Sequence, residues 1–287
     1  MNQKIAFLGL GRMGRQLVAH LIEDGLDVTV WNRSVGAAEQ VAATGATLAT
    51  TAADAVRDAD VIITVLFGAD AIRDVIVDGA LSFASNATWI DVTTISPAEA
   101  TGFETWAHDH ELRYAYSPVI GSLGPAAQRQ LGVLIGGTDD AVAIARPIVS
   151  RWADPARLTM YDEPRKASAG KLVANVAVAV TMQGLIEALR IGRSGGLSAS
   201  EVIERLQDKT TLAMIASLKG PTVLNGSYAD TQFSLDALAK DARLMIETAT
   251  EPLPALTAAL EAFVTAQRQG RGEDDFSVIA AGDTGTT

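Results

Sequence analysis

Three glycines near the amino end, Gly9, Gly11 and Gly14, stand in a G-x-G-x-x-G pattern between an apolar run, Ile5 to Leu8, and a helically spaced stretch, Arg15 to Glu23. That setting suits a strand-to-helix turn that binds an anion. Gly9 permits the tight turn, Gly11 lets the backbone approach a pyrophosphate, and Gly14 lets the helix lie close on the strand, while the helix N-terminus offers N–H donors. With Leu10, Arg12 and Met13 completing the loop, the spacing predicts dinucleotide binding. An ordinary glycine turn is the competing reading, and the flanking strand and helix weigh against it.

A ribose-binding acid is expected about 20 residues further on, at the end of the second strand. The chain instead reads V-W-N-R-S, which places Asn32 there, followed by Arg33 and Ser34. A carboxylate would repel a 2′-phosphate, whereas a guanidinium and a hydroxyl bind one through charge-assisted hydrogen bonds, so the expected cofactor is NADP(H). A solvated surface charge is the alternative for Arg33.

The remaining chemistry narrows by elimination. With no cysteine there is no thiolate nucleophile, disulfide or Cys-ligated metal. The three histidines are His20, in the first helical stretch, and His108 and His110, which flank Asp109 without the further ligands a metal needs, so no metal site is expected. No tyrosine is followed four residues later by lysine. What stands out is Lys171, inside A-S-A-G-K-L-V-A-N in an otherwise apolar stretch, with Asn175 four residues on and hence on the same helical face. A lysine can exchange a proton with a carbinol oxygen, and an asparagine can orient it or the substrate. A lysine reaching from a half-exposed helix to solvent is the bland alternative.

These residues need elements to hold them. From residue 4 to about residue 160, short β-rich runs at Ile5 to Leu8, Val28 to Trp31, Val61 to Leu66, Trp89 to Val92, Arg113 to Ala115, Val133 to Ile135 and Leu158 to Met160 alternate with helical stretches such as Pro97 to His108. That is α/β patterning, and right-handed crossovers predict a largely parallel sheet covered on both faces. After Pro164 the pattern becomes all-α. Lys166 to Arg193 predicts one helix about 40 Å long, followed by a helix capped by Ser198 or Ser200 and by helices over Leu235 to Thr248 and Pro254 to Gln267. The expected organisation is a Rossmann domain over residues 1–163, a long interdomain helix, and an all-α substrate and dimerisation domain over 164–287. The long helix is apolar around more of its axis than one small domain can cover, which predicts a homodimer or homotetramer. The tail from Ala280 to Thr287 is expected to fray.

A net charge of −11, from 23 basic and 34 acidic residues, disfavours a nucleic-acid partner. The amino end lacks a basic stretch followed by a cleavable apolar region, and no run of about 18 apolar residues is free of charge, so neither secretion nor a membrane partner is expected. A cytoplasmic location is the corresponding expectation.

Over nearly its whole length the sequence resembles the β-hydroxyacid dehydrogenase superfamily, which includes 3-hydroxyisobutyrate dehydrogenases and glyoxylate or succinic semialdehyde reductases. The resemblance rests on F-L-G-L-G-R-M-G at Phe7 to Gly14, V-L-F at Val65 to Phe67, D-V-T-T-I-S-P at Asp91 to Pro97, S-P-V-I-G-S at Ser117 to Ser122, K-L-V-A-N at Lys171 to Asn175 and K-D-A-R-L at Lys240 to Leu244. It implies that Lys171 is the catalytic acid/base, that Asn175 assists at the substrate, and that the loop Ser117 to Ser122 receives a substrate carboxylate through Ile120, Gly121 and Ser122. It further implies cofactor contacts from Leu66, Phe67, Thr94 and Lys240. The substrate would be a small carbonyl compound or hydroxyacid in a cleft between the domains.

Two departures bear on substrate. Ile120, Gly121 and Ser122 replace the family's usual Ser-Gly-Gly, which removes one hydroxyl, and Arg165 and Ala167 replace glycines before the lysine. Imine reductases share the glycine motif, the W-N-R-S strand end and the long helix, but usually carry aspartate or tyrosine where Lys171 stands. Lys171 therefore favours carbonyl chemistry, and Ile120 leaves imine reduction open. A non-catalytic dinucleotide-binding interaction module is a third reading, disfavoured by the presence of both Lys171 and Asn175.

Overall fold

The computed structural model describes residues 3–284. Two compact units divide between Lys171 and Leu172.

The first unit is α/β. Its strands are β1 (Lys4–Leu8), β2 (Asp27–Trp31), β3 (Thr47–Leu48), β4 (Val61–Thr64), β5 (Thr88–Asp91), β6 (Arg113–Tyr116), β7 (Val119–Ile120), β8 (Leu131–Gly137) and β9 (Ala153–Tyr161). Between them lie α1 (Arg12–Glu23), α2 (Val35–Ala42), α3 (Ala52–Val56), α4 (Ala69–Ile72), which runs on into a π turn, α5 (Pro97–Asp109), α6 (Leu123–Ala127) and α7 (Asp139–Val149). The sheet order is β3-β2-β1-β4-β5-β6-β8-β7, with β9 paired to β8. From β3 to β6 all pairs are parallel, as helical crossovers dictate. Buried on both faces, β4 reads Val-Ile-Ile-Thr and has no exposed residue.

One part of the sheet departs from the parallel pattern. β8 runs antiparallel to β6 and to β7. The segment between β6 and β8 holds only β7 and the five-residue α6, too little helix for a crossover, so the chain folds back.

The second unit is helical: the greater part of α8 (Pro164–Ser194), then α9 (Ala199–Gln207), α10 (Ala213–Asn225), α11 (Leu235–Thr248) and α12 (Pro254–Arg268), closed by a 3₁₀ turn, Phe276–Ala280. Leu172, Ala179, Met182, Leu185, Ile186 and Leu189 form the buried stripe of α8, repeating at helical spacing within a core shared with α9 to α12. By length and composition α8 is a helix able to cross a membrane, so the interrupting charges did not exclude one as the sequence reading supposed. Its buried stripe nevertheless lies in a protein core.

Lys219 is 3% exposed in α10 and donates to Asp275 at 2.8 Å, while Asp275 also accepts from Ser277 and from the backbone of Gln232. This buried pair ties α10 to the closing turn. The predicted fraying is also corrected: Ala280 is fully buried, and Asp283 pairs with Arg190 at 3.1 Å, while the last three residues of the expected tail lie outside the described residues.

Candidate active site

β2, β1, β4 and β5 are adjacent and parallel, so their carboxyl ends share one edge. The loops leaving that edge carry Gly9 to Gly14, Asn32 to Ser34, Leu66 with Phe67, and Thr94. The cofactor residues predicted for the first unit are thus brought together where open parallel sheets bind ligands.

Each glycine of the loop has its own reason. Gly9 has φ +103°, and a Cβ there would lie 2.3 Å from the Val65 carbonyl oxygen. At Gly14 a Cβ would lie 2.1 Å from the Gly9 carbonyl oxygen, so this glycine lets α1 pack on the turn. At Gly11 a Cβ would meet nothing within 4 Å. The space beside Gly11 is therefore open for a phosphate to reach the first-turn N–H groups of α1, a cradle that fits a dinucleotide. The side chain of Leu10 is buried and that of Met13 packs against the same core, so these two face inward, whereas Arg12 is exposed.

Asn32 braces this loop. Its Oδ1 accepts from the Leu10 N–H at 2.9 Å and its Nδ2 donates to the Ser34 carbonyl at 3.0 Å. An aspartate here would set a second carboxylate oxygen against that carbonyl, which is a physical reason for the missing acid. Arg33 and Ser34 are exposed at the start of α2, and the Ser34 side chain makes no capping bond. A guanidinium, a hydroxyl and a helix N-terminus converge there.

On the neighbouring loops, the Leu66 N–H donates to Thr93 Oγ1 at 3.0 Å, Phe67 is 59% exposed and Thr94 is half-buried. In the loop after β6, Ser117 is fully buried, and its hydroxyl has no hydrogen-bond partner among the described residues. Further on, Gly121 is exposed and Ser122 half-buried. Gly121 has φ +133°, a Cβ there would lie 2.7 Å from Leu131 Cδ2, and Ile120 is half-buried against the core that includes Tyr116 and Leu134.

Lys171 and Asn175 lie one turn apart on α8 and are both buried. Asn175 Nδ2 donates to Asp241 Oδ2 at 2.6 Å, and Asp241 Oδ1 accepts from Lys240 Nζ at 2.7 Å. Asp241 was missed in the sequence because its partner lies on another helix far away in the chain; a carboxylate directly after Lys240 was the only signal. The departures before the lysine are accommodated: Ala167 is fully buried beneath the sheet, and Arg165 is exposed.

The histidines are engaged elsewhere. His20 Nε2 lies 2.7 Å from the Ala126 carbonyl and joins α1 to α6. The His110 ring stacks on Trp106 with centroids 4.0 Å apart, and His108 is exposed. Among the described residues no group of three metal-ligating side chains is present.

A glycine turn at the carboxyl edge of a parallel sheet, joined to a long helix bearing a buried lysine and asparagine, defines an NAD(P)-dependent oxidoreductase. Residues 4–162 match the family described as the NAD binding domain of 6-phosphogluconate dehydrogenase, and residues 166–281 match the one described as NAD-binding of NADP-dependent 3-hydroxyisobutyrate dehydrogenase. The chain belongs to the β-hydroxyacid dehydrogenase superfamily. It is 28% identical over 282 residues to glyoxylate/succinic semialdehyde reductase 2 of Arabidopsis thaliana, covering 96% of this chain and 78% of that one. It is 29% identical over 290 residues to an NAD-dependent L-serine dehydrogenase of Pseudomonas aeruginosa, covering 96% of each. The solved Mycobacterium tuberculosis 3-hydroxyisobutyrate dehydrogenase with L-serine aligns at a TM-score of 0.84 and 26% identity over 98% of both chains.

Proposed function

We propose that this protein is an NADP(H)-preferring reductase of small aldehyde acids, working in reverse as a dehydrogenase of the corresponding hydroxyacids. The observation that carries this reading is the buried pair Lys171 and Asn175, with the amide of Asn175 fixed by Asp241. Bound NADPH would supply the hydride. The ammonium of Lys171 gives its proton to the carbonyl oxygen as reduction proceeds, and takes it back from the hydroxyl in the oxidative direction. Because the Asp241 carboxylate only accepts, Asn175 must turn Nδ2 toward it, and this directs its carbonyl oxygen to accept from a substrate hydroxyl or from the lysine. Gly121 and Ser122 offer the substrate carboxylate backbone N–H groups and one hydroxyl. At the other end of the cofactor, Arg33 and Ser34 hold the 2′-phosphate.

Glyoxylate or succinic semialdehyde, the substrates in the name of the Arabidopsis relative, are of the expected size and charge. The apolar Ile120 supports a second reading, in which neutral carbonyls or cyclic imines are also reduced. Val173, Ile191 and Met214, which are 70%, 74% and 83% exposed, support assembly of the helical unit into a homodimer or homotetramer.

A screen of small semialdehydes, hydroxyacids and cyclic imines against NADPH and NADH tests this function. Turnover of a semialdehyde acid with NADPH is the expected result. Activity confined to imines would replace the first reading with the second, and no turnover of any class would remove both.

A further inference from the structure

Asp91, at the end of β5, is fully buried, and its carboxylate accepts from two hydroxyls and a backbone N–H. Thr64 Oγ1 donates to Oδ1 at 2.8 Å and itself accepts from Trp89 Nε1 at 2.9 Å. The Thr93 N–H donates to Oδ1 at 3.0 Å, and the Tyr114 hydroxyl donates to Oδ2 at 3.3 Å. Thr93, whose backbone N–H is held by this carboxylate, uses its hydroxyl oxygen to accept from the Leu66 N–H at 3.0 Å. From the other side, the Tyr116 hydroxyl donates to the Thr93 carbonyl at 2.9 Å and accepts from the Ile95 N–H at 3.3 Å. The loop carrying Leu66 and the loop carrying Thr94 are thereby tied to one buried group.

We infer that Asp91 is a positioning residue for the dinucleotide, holding the loops after β4 and β5 in register through hydrogen-bond relays that end on its carboxylate. This rests on the reading of the shared strand edge as the cofactor site. Among the described residues, the hydrogen-bond partners of the group are neutral, and its titratable partner is Tyr114, near Tyr116 and Glu104. A buried carboxylate without a counter-ion is costly, and the fold retains it where two cofactor-facing loops meet. Ionised, it accepts from all its neighbours. Protonated, it becomes a donor itself, so a neighbouring hydroxyl must turn to accept or lose its bond, and the hold on the Thr93 N–H, and through Thr93 on Leu66, weakens. Burial pushes its carboxyl up to about 6, so this change falls in an accessible pH range.

The test is an NADPH fluorescence titration of the full-length protein between about pH 5 and 7.5, with wild type, Asp91→Asn and Thr93→Val compared and folding checked by circular dichroism. At the upper pH, Asp91→Asn should bind NADPH about tenfold more weakly than wild type, and the two should converge at the lower pH. The cofactor's 2′-phosphate also titrates here, but it does so for both proteins and cancels in their ratio. Thr93→Val, which keeps Asp91 and removes the link to Leu66, should weaken NADPH at every pH while turnover at saturating cofactor stays within about twofold. A ratio between wild type and Asp91→Asn that is constant with pH marks a merely structural role and overturns the inference. If Asp91→Asn does not fold, unchanged NADPH affinity in Thr93→Val overturns it. Failure of wild type to bind NADPH or NADH at any pH removes the functional reading itself and this inference with it.

Discussion

Asn175 Nδ2 and Lys240 Nζ share the Asp241 carboxylate, at 2.6 Å and 2.7 Å, one on each oxygen. The Asp241 side chain is 3% exposed and that of Lys240 22%, so the buried acid is satisfied on both sides while the lysine keeps a path to solvent. Loss of the acid removes the carboxylate that accepts from Asn175 Nδ2, and the amide is then held less firmly. Asp241→Ala should lower turnover by about tenfold to 100-fold with the fold retained. Asp241→Asn should fall less far, because its single amide oxygen can still accept from Asn175 Nδ2 but then turns its NH2 toward the Lys240 ammonium. Steady-state kinetics with a melting curve check both, and wild-type turnover in either variant refutes the assignment.

Lys171→Ala should retain the fold and NADPH binding but lose about 100-fold or more in turnover, the usual scale for a general acid or base. The loss should exceed that of Asn175→Ala, since orienting a proton donor matters less than being one. Unchanged turnover on the best substrate refutes the role.

Legibility of the fold followed the range of the interactions that set it. α11 begins at Leu235 and ends at Thr248 as its apolar spacing predicts. Ser198 was one of two expected caps, and it forms the capping box with Glu201. α10 was not anticipated, because Gly220-Pro221 reads as a stop; in the fold a Cβ at Gly220 would lie 2.7 Å from Ile203 Cγ2, so this glycine lets α10 approach α9 closely. The antiparallel return of β8 was hidden because β7 is two residues long and carries no period. At the site, the glycine loop and the Lys171–Asn175 pair are local patterns and were visible. Asp91 and Asp241 draw their meaning from partners brought in by the fold, so motifs containing them could be quoted without revealing what they hold.

Cofactor selectivity should reside in Arg33 and Ser34, which stand exposed at the start of α2. NADPH should bind more tightly than NADH. Arg33→Ala should weaken NADPH by about tenfold to 150-fold, the range for one lost charged hydrogen bond, and leave NADH nearly unaffected. Fluorescence titration of both cofactors decides this, and equal or tighter NADH binding by wild type refutes it.

Two carboxyls act oppositely on stability as pH changes. Asp24 is lowered to about 2 by hydrogen bonds from Arg129 and Arg151, so its contribution is present above pH about 4 and is lost as pH falls through 2. Asp91 is raised to about 6 by burial, so its folded state is favoured at low pH, and this advantage is lost as pH rises through 6. Wild type should therefore lose up to about 3 kcal/mol between pH 4 and 7 from Asp91 alone. Asp91→Asn cannot ionise and should flatten that part of the profile. Urea unfolding of both proteins across this range checks the sign, and parallel profiles refute it.

The substrate loop offers the sharpest test of specificity. Ile120 stands where a hydroxyl would help hold a carboxylate, and it is half-buried against the core with its strand paired to β8. Gly121 is conformationally required, and Ser122 leads into α6 without capping it, so the loop still presents backbone N–H groups and one hydroxyl. Carboxylate binding should be weakened rather than abolished, and the apolar side chain favours bulkier or less charged carbonyls. A charge-assisted hydrogen bond contributes about 1.5 to 3 kcal/mol, so Ile120→Ser should raise kcat/KM on a small semialdehyde acid by about tenfold to 150-fold. The same change should reduce activity on neutral carbonyls and imines, because apolar surface is lost from the loop. Competition between an acid and a neutral substrate reads both effects at once. An unchanged preference would show that this loop does not hold the carboxylate, and the proposed substrate class would then lose its main support.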